Sequence, residues 1–151
     1  MTLGIGGSTV AQELSRFEQP SAYQPITVDE RLTRIAKAQR LMYDQGVDAL
    51  FLEATTSLAY FTGLRLWASE RLHGAIIPAD GEVIYISPAF EEQKTRAMLL
   101  FGNDIRVWDE HEAAARLVAD IVASRYGSGA VVAIDEAAPF FVYDAFRLAA
   151  P

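Results

Sequence analysis

Residues Gly74–Ser87 read GAIIPADGEVIYIS. Two apolar runs rich in Ile, Val and Tyr flank Asp80-Gly81. An Asp-Gly pair between such runs marks a hairpin, because glycine accepts the positive φ a tight reversal needs. The stretch therefore predicts two antiparallel strands, Gly74–Pro78 and Glu82–Ser87. Elsewhere the chain alternates strand-like and helix-like segments, so this pair makes the sheet mixed rather than purely parallel.

Working toward the N-terminus, Leu64–His73 (LRLWASERLH) follows no clear period. Before it, Thr56 caps a brief helix, Ser57–Phe61, that Gly63 ends, and Asp48–Leu52 is a short apolar strand. A longer helix precedes that strand. Thr27 and Glu30 form its capping box and Gly46 its C-terminal stop, with Leu32, Ile35, Ala36, Met42 and Tyr43 on one face. Residues 1–25 stand apart as an arm: MTLGIGGST is Gly-rich, Val10, Leu14 and Phe17 recur at helical spacing behind a Thr9–Gln12 capping box, and Pro20 and Pro25 bracket a linker.

Toward the C-terminus, Ser87-Pro88 places an N-cap before a proline at the first helical position. That helix is expected to turn Phe90, Ala97, Met98 and Phe101 inward, to pair Glu92 with Arg96 on its surface, and to stop at Gly102. Asp104–Trp108 reads as a strand with Trp108 in the core. Asp109 and Glu112 open a helix whose stripe is Ala114, Leu117, Val118, Ile121 and Val122, ended by Gly127 and Gly129. Ala130–Asp135 is a further strand, and Pro139 opens the last helix. The expectation is an α/β, three-layer-type domain over residues 26–151, with a mixed sheet including one antiparallel hairpin, flanked by helices. The end at Leu148–Pro151 reads as a boundary.

The 151 residues suit one domain with a sizeable core, and 51% hydrophobic against 22% charged residues is ordinary globular composition. Thirteen Lys and Arg against twenty Asp and Glu give a net charge of −7, which argues against nucleic acid or an anionic membrane as partner. No run approaches the length of a membrane span. The absence of cysteine removes disulfides and Cys-ligated zinc and fits a cytoplasmic setting.

Catalytic patterns are missing. The two histidines, His73 and His111, belong to no H-x-x-x-H or H-E-x-x-H spacing. Gly4, Gly6 and Gly7 precede no strand–helix unit, and Ser8 and Ser69 lack the G-x-S-x-G setting of a nucleophile. His111 reads as a surface residue. Asp135-Glu136, at a strand end, reads as helix-entry polarity or an interface contact in preference to a metal or acid–base pair. Trp67, in a charged irregular loop, is harder to place in a core than Trp108.

Taken in order, Asp48–Leu52, Ser57–Gly63 (SLAYFTG), the hairpin, and Ile134–Phe141 (IDEAAPFF) resemble the creatinase/prolidase N-terminal domain, whose hallmark is a helix ending in Tyr-aromatic-Ser/Thr-Gly, here Tyr60-Phe61-Thr62-Gly63. The resemblance covers residues 26–151. It implies a two-domain metalloenzyme whose catalytic C-terminal domain, absent from this chain, holds two divalent ions (manganese, zinc or cobalt), so that no catalytic, metal or cofactor residue is assigned here. It implies an N-terminal domain that partners its own catalytic domain, builds a homodimer or higher homo-oligomer, and closes over a neighbouring active site. In creatine-cleaving relatives an arginine three residues before the hairpin glycine binds the substrate carboxylate in trans; that position here is Arg71. Trp67, His73 and Arg65 are further candidates from the same loop. Ser69 stands where those relatives carry an aromatic residue, which favours an X-Pro dipeptidase or aminopeptidase acting on proline-containing dipeptides. The alternatives are a stand-alone binding or assembly module of the same fold, or the N-terminal domain of a creatinase-like or sulfonium-lyase-like enzyme.

Overall fold

The computed structural model describes residues 24–149, and the arm expected over residues 1–25 lies almost wholly outside them. The elements follow in the order α1 (Val28–Gln45), β1 (Ala49–Glu53), α2 (Thr56–Thr62), β2 (Gly74–Pro78), β3 (Ile84–Pro88), a 3-10 turn (Ala89–Glu91), α3 (Glu92–Met98), β4 (Ile105–Trp108), α4 (Ala114–Tyr126), β5 (Val132–Ile134) and α5 (Phe140–Ala149). The strands form one sheet in the order β4-β3-β2-β1-β5. The inner pairs β1/β2 and β2/β3 are antiparallel, and the outer pairs β1/β5 and β3/β4 are parallel. This is the mixed α/β sheet the hairpin required.

Strand alternation builds two cores, one on each face. Phe51, Ile76, Ile84 and Ile86 point toward α4 and α5, where they meet Val118, Val122, Val142 and Phe146. Their neighbours Leu52, Ala75, Ile77 and Tyr85 point the other way, toward Ile35 of α1, Leu58 of α2 and Met98 of α3. Because both faces are covered, the central strands are apolar throughout rather than alternating with polar residues. The reversal between β2 and β3 is held from both layers. Gln39 of α1 donates Nε2 to Pro78 O and Gly81 O, at 3.0 and 2.9 Å, while Arg125 and Tyr126 of α4 bond Asp80. None of the helices among the described residues is long and apolar enough to cross a membrane.

Helix α1 begins as its sequence demands. Thr27 Oγ1 accepts the Glu30 N–H at 3.2 Å, and Gly46 takes φ 67° at the other end. Its inner face differs from the expected one. Arg31, Ile35 and Met42 are buried, whereas Leu32 is 45% and Tyr43 82% exposed. The reason is Arg31. Its guanidinium donates Nη1 to Ala59 O and Tyr60 O, two carbonyls in the last turn of α2, at 2.6 and 3.1 Å. A cation suits the negative end of a helix, and the aliphatic stem packs inward on the way. That demand rotates the buried stripe onto Arg31.

Two further expectations change. Ser87 and Pro88 do not open a helix: they are the last residues of β3 and pair with Val107 and Trp108 of β4. Sheet pairing overrides the local Ser-Pro signal, the helix starts at Glu92, and Phe90 in the intervening turn is 64% exposed. Thr95 takes the inward position instead. The Asp109–Glu112 capping contact forms, with Glu112 Oε2 accepting the Asp109 N–H at 2.8 Å, but it closes a turn ahead of α4 rather than its first turn.

Two glycines separate steric from conformational demands. A Cβ on Gly74, which faces Glu53 across the β1/β2 pair, would run into the Leu52 carbonyl oxygen. A Cβ on Gly46 would meet nothing, although φ there is 67°. Gly46→Ala is therefore expected to cost about 1–2 kcal/mol of backbone strain. Gly74→Ala is expected to cost about 3 kcal/mol or more, because two paired backbones must separate. Urea denaturation of both variants checks this; equal losses would contradict the close-approach account.

Candidate functional site

The loop Leu64–His73 is anchored at both ends and free between. Leu64 is 1% exposed, and Leu72 and His73 are buried at the far end. Thr62 and Gly63 launch it. Thr62 Oγ1 donates to Leu58 O at 2.7 Å and accepts the Leu64 N–H at 3.1 Å, turning the chain out of α2. Gly63 follows at φ 81°, where a Cβ would strike Leu100 and the Arg31 guanidinium. Thus the Tyr60-Phe61-Thr62-Gly63 run fixes where the loop begins, and the Trp108 indole, donating Nε1 to Leu72 O at 3.0 Å, fixes where it returns.

The loop separates two hollows. On one side lies a groove of about 640 Å³ lined by residues including Arg31, Arg34, Tyr60, Arg65 and Trp67. On the other lies a more apolar one of about 550 Å³, bordered by Glu70, Leu72, Trp108, Phe141 and Leu148. Arg65 and Trp67 therefore share a site, and Trp67 is 92% exposed. Arg71 stands apart from them. Its Nε donates to Glu110 Oε1 at 2.7 Å, Glu70 bonds the same guanidinium, and the Phe90 ring lies 5.5 Å from it. Glu110 and then Glu70 favour the charged form of Arg71. Its carboxylate partners thus come from two places, Glu70 next to it in the chain and Glu110 after β4.

His73 faces inward. Its Nε2 lies 2.9 Å from Thr95 Oγ1, which in turn lies 3.1 Å from Ser87 Oγ. Burial lowers its pKa, with the nearby Glu91 charge acting in the opposite sense. The ring is thus a neutral member of a buried polar chain under α3, away from the exposed part of the loop. Sequence reading missed Arg31, Arg34, Glu110 and Phe90. The one signal was an arginine one turn before Ile35 on the buried stripe of α1; nothing local links Glu110 to a loop 39 residues away.

A second polar group lies at the ends of the parallel strands β1 and β5. Asp135, buried, accepts from the Thr55 hydroxyl, from Ser57 Oγ at 3.4 Å and from the Ala137 N–H at 3.0 Å. It closes the turn after β5 and ties it to Thr55 and Ser57 at the start of α2. Glu53, 3% exposed, has a carboxylate oxygen, Oε2, with no partner. Burial pushes its pKa up to about 7 and the Asp135 charge adds to the rise, against the backbone N–H groups of Ala54 and His73. No group of three His, Cys, Asp or Glu residues able to hold a metal ion occurs among the described residues.

A family model described as the creatinase/prolidase N-terminal domain matches residues 34–151. The sequence matches no curated protein. Solved structures share the fold. Dipeptidase PepE from Mycobacterium ulcerans superposes with a TM-score of 0.70 at 22% identity, over 82% of this chain and 34% of that one. A prolidase from Thermococcus sibiricus gives 0.64 at 21% identity, over 81% and 31%. The N-terminal domain of an Xaa-Pro dipeptidase from Lactobacillus brevis gives 0.66 at 18% identity, over 78% of this chain and 88% of that domain. The chain thus spans about a third of the first two enzymes and most of the third, isolated domain.

Glu53 makes stability depend on pH. Its pKa is raised in the folded state, so the stability it confers is full below the ordinary 4.5 and is lost as pH rises through about 7. Glu53→Gln is expected to remove this component, about 3 kcal/mol at most, and so to gain on the wild type as pH rises from 4 to 8. The comparison is read as variant minus wild type, because His73, held neutral, acts in the opposite direction as pH falls below 6.5. Denaturation midpoints that keep a constant difference across this range would show that the buried carboxyl does not titrate there.

Proposed function

The chain belongs to the creatinase/prolidase N-terminal domain family, and on that premise we propose that it is the non-catalytic N-terminal domain of a metal-dependent X-Pro dipeptidase, where it builds a homo-oligomer and closes over the active site of a neighbouring subunit. The observation that carries this reading is the loop Leu64–His73. Buried residues hold both its ends, while Arg65, Trp67 and Glu70 stand in solvent. An element rigid at its base and exposed at its tip is suited to reach into another subunit's cleft and exclude water there. The family resemblances to dipeptidases and a prolidase supply the substrate class.

The chemistry of the loop suits a proline-containing dipeptide. Such a substrate ends in a free carboxylate, which a guanidinium fork can bind through two parallel hydrogen bonds. Arg71 already faces carboxylates, with Nε and Nη2 both on Glu110 Oε1 and Nη1 on Glu70, so a substrate carboxylate would compete with these for the guanidinium. The exposed Trp67 indole offers a flat apolar surface to a pyrrolidine ring. Water attack on the amide carbonyl is assigned to the catalytic domain. The two divalent ions of the complete enzyme are assigned to that domain as well; among the described residues no group of three His, Cys, Asp or Glu residues that could hold a metal ion occurs.

The test is hydrolysis of an X-Pro dipeptide in the presence of manganese, by this chain and by the product of its complete reading frame. Cleavage is expected only from the complete product, with Arg71→Ala and Trp67→Ala there each raising KM about tenfold and changing kcat less. Cleavage by the 151-residue chain itself would overturn the non-catalytic assignment. Unchanged KM in both variants would remove the loop from substrate binding.

A further inference from the structure

Arg31 is a buried cation that meets no carboxylate among the described residues. The residue is 8% exposed, and its hydrogen bonds there go from Nη1 to the neutral carbonyls of Ala59 and Tyr60. Its Nε has no partner among them. Among the described residues no ion pair includes it. Buried charges are ordinarily paired or fully hydrogen-bonded, and the partial charge at the end of a short helix answers only part of a full one.

Two more guanidinium groups converge on the groove that Arg31 lines. Arg34 donates to Tyr60 O at 2.9 Å, lies 4.1 Å from the centre of the Tyr60 ring, and is paired with Glu30. Arg65 enters from the loop, exposed, and also forms no ion pair among the described residues. Three positive charges thus line one concave surface with no carboxylate among its lining residues, Glu30 standing beside Arg34 and Asp135 bonded to Thr55, on a chain whose net charge is −7. A concave cluster of one sign concentrates ions of the other. Tyr60 and the nearly naked Trp67 supply aromatic walls, and the volume of about 640 Å³ is that of a small-molecule site.

We propose that this groove binds a small molecule carrying an oxyanion, a carboxylate or a phosphate, on a flat apolar body. Arg31 and Arg65 hold the anion, and Tyr60 and Trp67 hold the body. The site is complete within one chain. It shares Trp67 and Arg65 with the gating loop, but it depends on Arg31 and not on Arg71, so its fate is separable from that of the proposed peptidase role.

The experiment is an NMR titration of this 151-residue chain, following the Arg side-chain Nε–H signals and the two Trp indole N–H signals. The probes are phenylacetate and phenyl phosphate, with benzyl alcohol as the uncharged control. Saturable shifts at Arg31, Arg65 and Trp67, with Trp108 unmoved, are expected from at least one anion, and the stronger binder of the two identifies the anion class. Arg65→Ala is expected to weaken binding about tenfold, the loss of one charged hydrogen-bonding partner, and Arg71→Ala to leave it unchanged. Arg31→Lys, which keeps the charge but not the fork, tests the buried position without removing the cation from α2, and weaker binding is expected. The proposal is overturned if neither anion gives saturable shifts, if benzyl alcohol does as well, or if Arg71→Ala abolishes binding while Arg65→Ala does not.

Discussion

The last turn of α2 presents the Ala59 and Tyr60 carbonyls, and the Arg31 guanidinium comes from another helix to meet both, the first of them shared with the Gly63 N–H. Much of the molecule follows from that junction. It sets the rotation of α1 on the sheet, because Arg31 must point inward. Beside it stands Gly63, whose positive φ sends the chain away from α2 and whose missing side chain leaves space taken first by Leu100 and then by the Arg31 guanidinium. The loop that bears Arg65, Trp67 and Arg71 starts from this point. The four residues Tyr60-Phe61-Thr62-Gly63 thus have separate physical tasks. Tyr60 presents its carbonyl and ring to arginines, Thr62 ties the turn with its hydroxyl, and Gly63 permits the close approach.

The sheet shows a related division. Its middle is apolar on both faces, as full coverage by helices requires. Polar groups enter the interior at its margin: Glu53 where β1 ends, Asp135 just after β5, and His73 just before β2, with Ser87 and Thr95 bonded to it in turn. All but one are satisfied. The exception, Glu53 Oε2, is accommodated by holding the proton to higher pH than a solvated carboxyl would. The polar margin and the anchored loop lie along the same part of the fold, where His73 belongs to both.

Function on this fold is a matter of what the margin presents outward. The family relation makes this a creatinase/prolidase N-terminal domain, and the structure adds how the charges on its loop are arranged. Arg71 is neutralised by carboxylates brought from two places, while neither Arg65 nor the buried Arg31 forms an ion pair among the described residues. Two arginines in one loop therefore present different chemistry, one an engaged fork and the other an open one.

The sequence by itself determined the mixed sheet, because Asp80-Gly81 between apolar runs requires an antiparallel return, and it determined the ends of α1, because Thr27, Glu30 and Gly46 act on their own neighbours. The ordered motifs also carried the family. What it could not decide was anything settled by a partner distant along the chain. Ser87-Pro88 has the local form of a helix start, yet β4 captured it as strand. Leu32 and Tyr43 are as apolar as any core residue, yet the carbonyls of α2 drew Arg31 inward and left them outside. For the candidate site, the sequence offered a loop and four candidate residues on it, but not their grouping in space. Arg65 joined Trp67, Arg71 went to Glu110, and His73 turned inward to Thr95, because charge and hydrogen-bond demands are met through space and leave no periodic trace along the chain.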